Sequence, residues 1–289
     1  MTDSADRLFD RLDRLVDRLE RLVPPAAAPV DWAASTAFRW RKRAGRGQLE
    51  PVRHPHAIAF ADLKDIDDQK KRVRDNTAQF VAGRPANNVL LTGARGTGKS
   101  SLVKAALSEF SKRGLRLIEV DKSDLVDLPD LVDLVADRKE RFIVFCDDLS
   151  FEASEGGYKA LKAILDGSIA GSAANVLVYA TSNRRHLMPE FMDENLEAKH
   201  VDGEIHPGET TEEKISLSER FGLWVSFYPF DQEQYLRIAE HWVGALGGRA
   251  GEDLHAAARL WALERGSRSG RVAYQFARDY VGRAGRARA

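Results

Sequence analysis

The residues with the clearest chemical reading lie at 93–101, Gly-Ala-Arg-Gly-Thr-Gly-Lys-Ser-Ser. Gly93, Ala94, Arg95, Gly96, Thr97, Gly98, Lys99 and Ser100 fit the spacing G-x-x-x-x-G-K-[ST], with Ser101 directly after. Glycines at those positions let the backbone turn several N–H groups inward, which makes a cradle for an anion. A helix starting there adds partial positive charge at the same place. Lys99 would then reach the terminal phosphates of a bound nucleotide, the Ser100 hydroxyl would ligate Mg²⁺, and Ser101 would donate near the α-phosphate. A second group follows the apolar run Phe142–Cys146, which ends in Asp147 and Asp148. Asp147 would hold the Mg²⁺ through water, and Asp148 would orient or deprotonate an attacking water. Cys146 reads as a buried, inert thiol.

Three more polar positions fall at element ends. Val176–Ala180 is an apolar run closed by Thr181, Ser182 and Asn183; an Asn there can hydrogen-bond an attacking water. Arg220, in Ser-Glu-Arg-Phe-Gly just before the last apolar run, lies away from its own phosphates and could reach those of a neighbouring subunit. Arg271, in Ser-Arg-Ser-Gly-Arg at the start of the last helical pattern, could close onto the γ-phosphate.

The elements that must position these groups alternate. Strand-type runs at 89–92, 115–120, 142–145, 176–180 and 223–228 are separated by helical patterns, such as the face Val103, Ala106, Leu107 and Phe110. Such alternation predicts a parallel sheet covered on both faces, an α/β architecture. After Phe230 three helical segments follow with no strand between them, the first opening with the capping-box pattern Asp231-Gln-Glu-Gln234. This predicts a small helical domain over 231–289 behind an α/β domain over 52–230. Residues 24–51 read as a linker containing a basic segment. Residues 1–23 read as an amphipathic helix: Leu8, Leu12, Leu15, Leu19 and Leu22 alternate spacings of four and three, an a/d seam for self-association, a partner helix or docking in cis.

The ordered set resembles the AAA+ ATPases, and within them an uncharacterised bacterial family of single-module proteins defined by a domain of unknown function. The resemblance covers about residues 40–285. It implies a three-layer αβα nucleotide domain with a helical lid. It also implies ATP and Mg²⁺ as cofactors, ATP hydrolysis, assembly as a homo-oligomer and a macromolecular client. By the same resemblance Lys99 and Ser100 belong to Walker A, Asp147 and Asp148 to Walker B, Asn183 to sensor 1, Arg220 to the finger of box VII and Arg271 to sensor 2, with Arg268 a second candidate. Phe60 to Ile66 resembles the stretch that borders the adenine. The chain departs from the pattern twice: Asp148 stands where most members carry Glu, which implies slower hydrolysis, and Asp65 stands where glycine is usual.

Net charge is zero, 44 basic against 44 acidic residues in 289. This argues against a uniformly basic nucleic-acid binder. The balance hides blocks: residues 38–53 hold six basic residues against Glu50, residues 186–219 hold ten acidic residues, and residues 267–289 hold six arginines against Asp279. The basic stretch around Trp40 is a candidate nucleic-acid contact, which carries a second reading: a slow nucleotide-gated switch or loader acting on DNA or a DNA-bound partner. A P-loop kinase is a third reading, disfavoured by Asn183, Arg220 and the helical segments. The acidic block reads as a mobile loop. One cysteine excludes an internal disulfide, and no apolar run approaches the length of a membrane span; the expected location is the cytoplasm.

Overall fold

Apolar runs that can be buried on both faces become the strands of one sheet. The structure, a computed structural model, describes residues 29–43, 45–150, 156–166, 173–183, 199–201, 204–206 and 217–286, with isolated Arg11 and Arg14. The strands are β1 (Ala37–Arg43), β2 (Arg46–Pro51), β3 (Val89–Gly93), β4 (Leu115–Glu119), β5 (Arg141–Cys146), β6 (Val176–Ser182), β7 (Lys199–Val201), β8 (Glu204–His206) and β9 (Leu223–Phe227). The helices are α1 (Asp67–Val81), α2 (Lys99–Phe110), α3 (Leu128–Val135), α4 (Gly156–Asp166), α5 (Gln232–Ala245), α6 (Leu254–Glu264) and α7 (Gly270–Arg286). Seven strands form one sheet in the order β2-β1-β4-β5-β6-β3-β9. All neighbours in it run parallel except the antiparallel pair β1–β2.

Strand pleating sends successive side chains to opposite faces, and both faces here are covered. On β3, Val89 and Leu91 enter a cluster with Phe80 of α1 and Val103 and Ala106 of α2. Leu90 between them enters a second cluster with Leu131 of α3 and Leu161 of α4. On β5, Ile143 and Phe145 join the first cluster, while Phe142, Val144 and Cys146 join the second. That division is why these strands read as unbroken apolar runs rather than alternating ones. Burial pushes the Cys146 thiol up to about 12, so it stays protonated and inert.

The expected helical segment after Phe230 is present as α5, α6 and α7. The Asp231 side chain accepts from the Gln234 N–H, and the Gln234 side chain accepts from the Asp231 N–H. Tyr235, Ile238 and Val243 of α5, Ala258 of α6 and Phe276 of α7 belong to the same apolar cluster as α1 and α2. The three helices pack on one another, and their apolar side chains are continuous with the cluster on the α1–α2 face of the sheet.

The linker expected over 24–51 is corrected from Ala37 onward, where β1 and β2 extend the sheet by two strands. Phe38 and Trp40 are buried, at 0% and 4% exposure, and Trp40 Nε1 donates to Asp127 Oδ2 at 3.1 Å. Gly47 lies against that indole; a Cβ there would sit 1.9 Å from the ring. The intervening basic residues are paired: Arg39 with Glu119 at 2.7 Å, Arg41 with Asp121 at 3.4 Å, Lys42 with Asp127 at 2.9 Å and Arg43 with Glu50 at 2.6 Å. Such pairs add little stability, but they neutralise most of what the sequence shows as a basic patch.

The acidic stretch holds the two-strand pair β7–β8, with Val201 opposite Glu204. Apart from residues 217–219, the rest of that stretch lies outside the described residues, as does the seam over 1–23 apart from Arg11 and Arg14. Among the described residues no helix is long and apolar enough to cross a membrane.

Candidate nucleotide site

The sheet order explains why distant motifs meet. The chain leaves β3 through α2 and returns at β4, beyond β6 and β5. The carboxyl ends of β3, β5 and β6 are therefore neighbours at the topological switch point, where ligands of open parallel sheets bind. β3 ends in Gly93, β5 runs into Asp147 and β6 runs into Asn183. A cleft of about 690 Å³ opens there.

The loop between β3 and α2 forms the cleft floor. Gly98 caps α2 with φ of 102°, and the first turn of the helix faces the cleft. Gly96 has φ of 73°, and a Cβ on it would lie 2.8 Å from the Ser269 side chain. The O of Gly96 would be 3.2 Å from a Cβ on Gly270. Glycine at both positions thus lets the start of α7 approach the loop, which brings Arg271 into the cleft lining beside Arg95.

A closed polar network joins the three strand ends. Lys99 Nζ donates to Gly93 O at 2.6 Å, Ala94 O at 2.8 Å and Asn183 Oδ1 at 3.0 Å. Asn183 Nδ2 donates to Asp148 Oδ1. Ser100 Oγ donates to Asp147 Oδ1 at 2.7 Å. The Thr181 hydroxyl donates to the same oxygen at 2.6 Å and accepts the Asp148 N–H at 2.8 Å. That last bond fixes Asp148 in the left-handed region at φ of 54°, a conformation Asp tolerates better than most residues. Burial holds the Lys99 ammonium below its ordinary range; Arg95 and Arg271 act the same way, while Asp147 and Asp148 oppose them.

Ser100 and Asp147 present two oxygen donors in contact. That set suits a hard cation such as Mg²⁺, which takes few protein ligands and completes its shell with phosphate and water.

Of the residues expected at the site, Ile66, Arg95, Gly96, Thr97, Gly98, Ser101 and Arg271 line the cleft with the network residues. Gly93 and Ala94 contribute through their carbonyls to Lys99. Arg220 lies outside the lining and pairs with Asp166 at the end of α4. Arg268 is also outside it. Sequence reasoning missed Thr181 and the pair Trp242 and Tyr274, and it did not foresee the partner of Asp65. Thr181 was visible only as part of a polar triplet. Trp242 and Tyr274, whose rings stand 4.9 Å apart, form an apolar wall with Ile58, Ile66 and Ile238. Asp65 adopts φ of 59° and pairs with Arg237 of α5.

A family model described as "Protein of unknown function (DUF815)" matches residues 33–284. The ATP-dependent zinc metalloprotease FTSH 9, chloroplastic, of Arabidopsis thaliana is 34% identical over 91 residues, 28% of this chain and 11% of that protein. Two single-substitution variants of Thermotoga maritima RuvB superpose with TM-scores of 0.50 at 16% and 17% identity. Each alignment covers 77% of this chain and 64% of the RuvB chain. This chain therefore spans about a tenth of the metalloprotease and under two thirds of RuvB. At such identities the RuvB likeness establishes the fold alone: the AAA+ P-loop NTPase architecture.

Proposed function

The chain belongs to the DUF815 family of AAA+ P-loop proteins, and from that premise we propose that it binds ATP in the cleft and hydrolyses it to ADP and phosphate. The observation that carries the reading is the single network joining Lys99, Ser100, Asp147, Asp148 and Asn183 at three strand ends.

Lys99 has the reach to leave its loop carbonyls for the terminal phosphates, where its charge offsets theirs. The start of α2 and the loop N–H groups bind the remaining phosphate oxygens. Ser100 and Asp147 would hold Mg²⁺, which when bound neutralises developing charge on the phosphate oxygens. Asp148 accepts a proton from, or orients, the attacking water, and Asn183 fixes the Asp148 carboxylate and the water together. Arg271 adds a cation from α7, so that closure of the helical segment as a lid over the phosphates completes the site. The apolar wall of Ile58, Ile66, Trp242 and Tyr274 suits a purine base.

Arg220 is the proposed trans finger: it stands outside its own cleft, and in a homo-oligomer it would reach a neighbour's γ-phosphate. The work so driven is remodelling or loading of a macromolecular client in the cytoplasm. The alternative is a slow nucleotide-gated switch or loader acting on DNA or a DNA-bound partner. The Asp147–Asp148 pair and the C-terminal arginines support it, while pairing of Arg39, Arg41, Lys42 and Arg43 within the chain weakens the contribution of the basic stretch around Trp40.

Asp148→Asn tests the chemistry. It should bind ATP within about threefold of wild type and release phosphate about 10²–10⁴-fold more slowly. Wild-type turnover in this variant would remove Asp148 from the mechanism.

A further inference from the structure

One ion pair joins two segments that both contribute to the cleft's apolar wall. Lys64 and Ile66 of one segment and Ile238 and Trp242 of α5 all line the cleft. Asp65, between the first two, meets Arg237, adjacent to Ile238. Arg237 Nε donates to Asp65 Oδ1 at 3.1 Å, and a second guanidinium nitrogen donates to the same oxygen. The partners are 172 residues apart in sequence. The Asp65 side chain is only 15% exposed, against 56% for Arg237, so the carboxylate end is largely shielded from solvent.

The backbone at Asp65 is also unusual, at φ of 59°. Non-glycine residues rarely adopt that region, though Asp tolerates it better than most, and here the Asp65 side chain also carries the ion pair. One turn further along α5, His241 Nε2 stands 3.6 Å from Asp62 Oδ1, so the same helix face meets the same segment twice.

We propose that Asp65 and Arg237 are positioning residues for the base end of the nucleotide. Their pair ties the 62–66 segment to α5 and so sets the gap between Ile66 and the Ile238–Trp242 wall. The inference rests on the nucleotide reading and deepens it: the pair governs recognition of the nucleoside and leaves the polyphosphate grip to the loop and Lys99.

The test is calorimetric titration of the full chain with ATP and, separately, with inorganic tripolyphosphate, which has no base. Asp65→Asn and Asp65→Gly both keep access to the left-handed backbone, and Arg237→Gln keeps the helix. Each should weaken ATP about three- to tenfold, in line with a partly shielded ion pair. The Asp65→Asn/Arg237→Gln double variant should be no weaker than the worse single, because both remove one interaction. Tripolyphosphate affinity should stay at the wild-type value in all of them, whereas Lys99→Ala should lose both ligands. Wild-type ATP affinity in the single variants, equal loss of ATP and tripolyphosphate, or additive losses in the double variant would overturn the proposal while leaving the nucleotide site standing. Failure of the wild-type chain to bind either ligand would overturn both.

Discussion

Thr181 links the Asp147 carboxylate to the Asp148 backbone. Its hydroxyl donates to Asp147 Oδ1 and accepts the Asp148 N–H, so it sets the orientation of both acids with one atom. Thr181→Val keeps the shape and deletes that atom. The expected cost is about 1–3 kcal/mol in the step that uses Asp148, roughly tenfold or more in phosphate release. ATP affinity should stay within about threefold of wild type, and Thr181→Ser should restore most of the rate. Steady-state phosphate release with parallel binding titrations checks this. A Thr181→Val enzyme of wild-type rate would show that the bridge is not needed. At this scale the sequence displayed the glycines, Lys99, Ser100 and the Asp pair, because their chemistry is tied to local spacing. It hid Thr181, whose value comes from a contact across 34 residues, and it marked Asp65 without its partner, which is 172 residues away.

Two element contacts make predictions of their own. The β1–β2 hairpin joins the sheet through β4, and Trp40 and Lys42 tie it to Asp127, just before α3. Asp127→Ala leaves the buried indole N–H without that acceptor and should cost about 1–3 kcal/mol in urea unfolding. An unchanged midpoint would mean the hairpin adds no stability through this contact. This hairpin escaped the sequence reading because it is short, charged and glycine-containing, and because the acids that pair with it lie about 80 positions on. The strands β3, β5 and β6 were legible for the opposite reason: each is apolar on both faces. On α5, burial is the main cause holding His241 below its ordinary 6.5; Lys64 lowers it further, while Asp62 opposes them. The folded state therefore binds fewer protons here than the unfolded state. This contribution to stability is full above about pH 6.5 and is lost as pH falls through the lower folded value. Melting temperature should drop between pH 7.5 and 5.5 more steeply in wild type than in His241→Gln. Parallel profiles would show that His241 keeps its ordinary titration.

For the whole molecule, three remote strand ends and the start of α7 converge on one cleft, with Arg220 left outside it beside Asp166. If that arginine serves a neighbour, Arg220→Ala should bind ATP normally and turn over poorly. Mixing Arg220→Ala with Asp148→Asn protein should recover part of the wild-type rate, since mixed assemblies contain intact sites. No recovery from mixtures shown to co-assemble would contradict action in trans. If the seam proposed over residues 1–23 self-associates or recruits a partner rather than docking in cis, deleting residues 1–30 should change oligomer mass or partner capture. The most direct measurement of the central claim is phosphate release from Mg²⁺·ATP by purified wild-type chain against Lys99→Ala. The account predicts turnover in the first and none above background in the second. Equal release by the two, or none by a folded, ATP-saturated wild type, would contradict it.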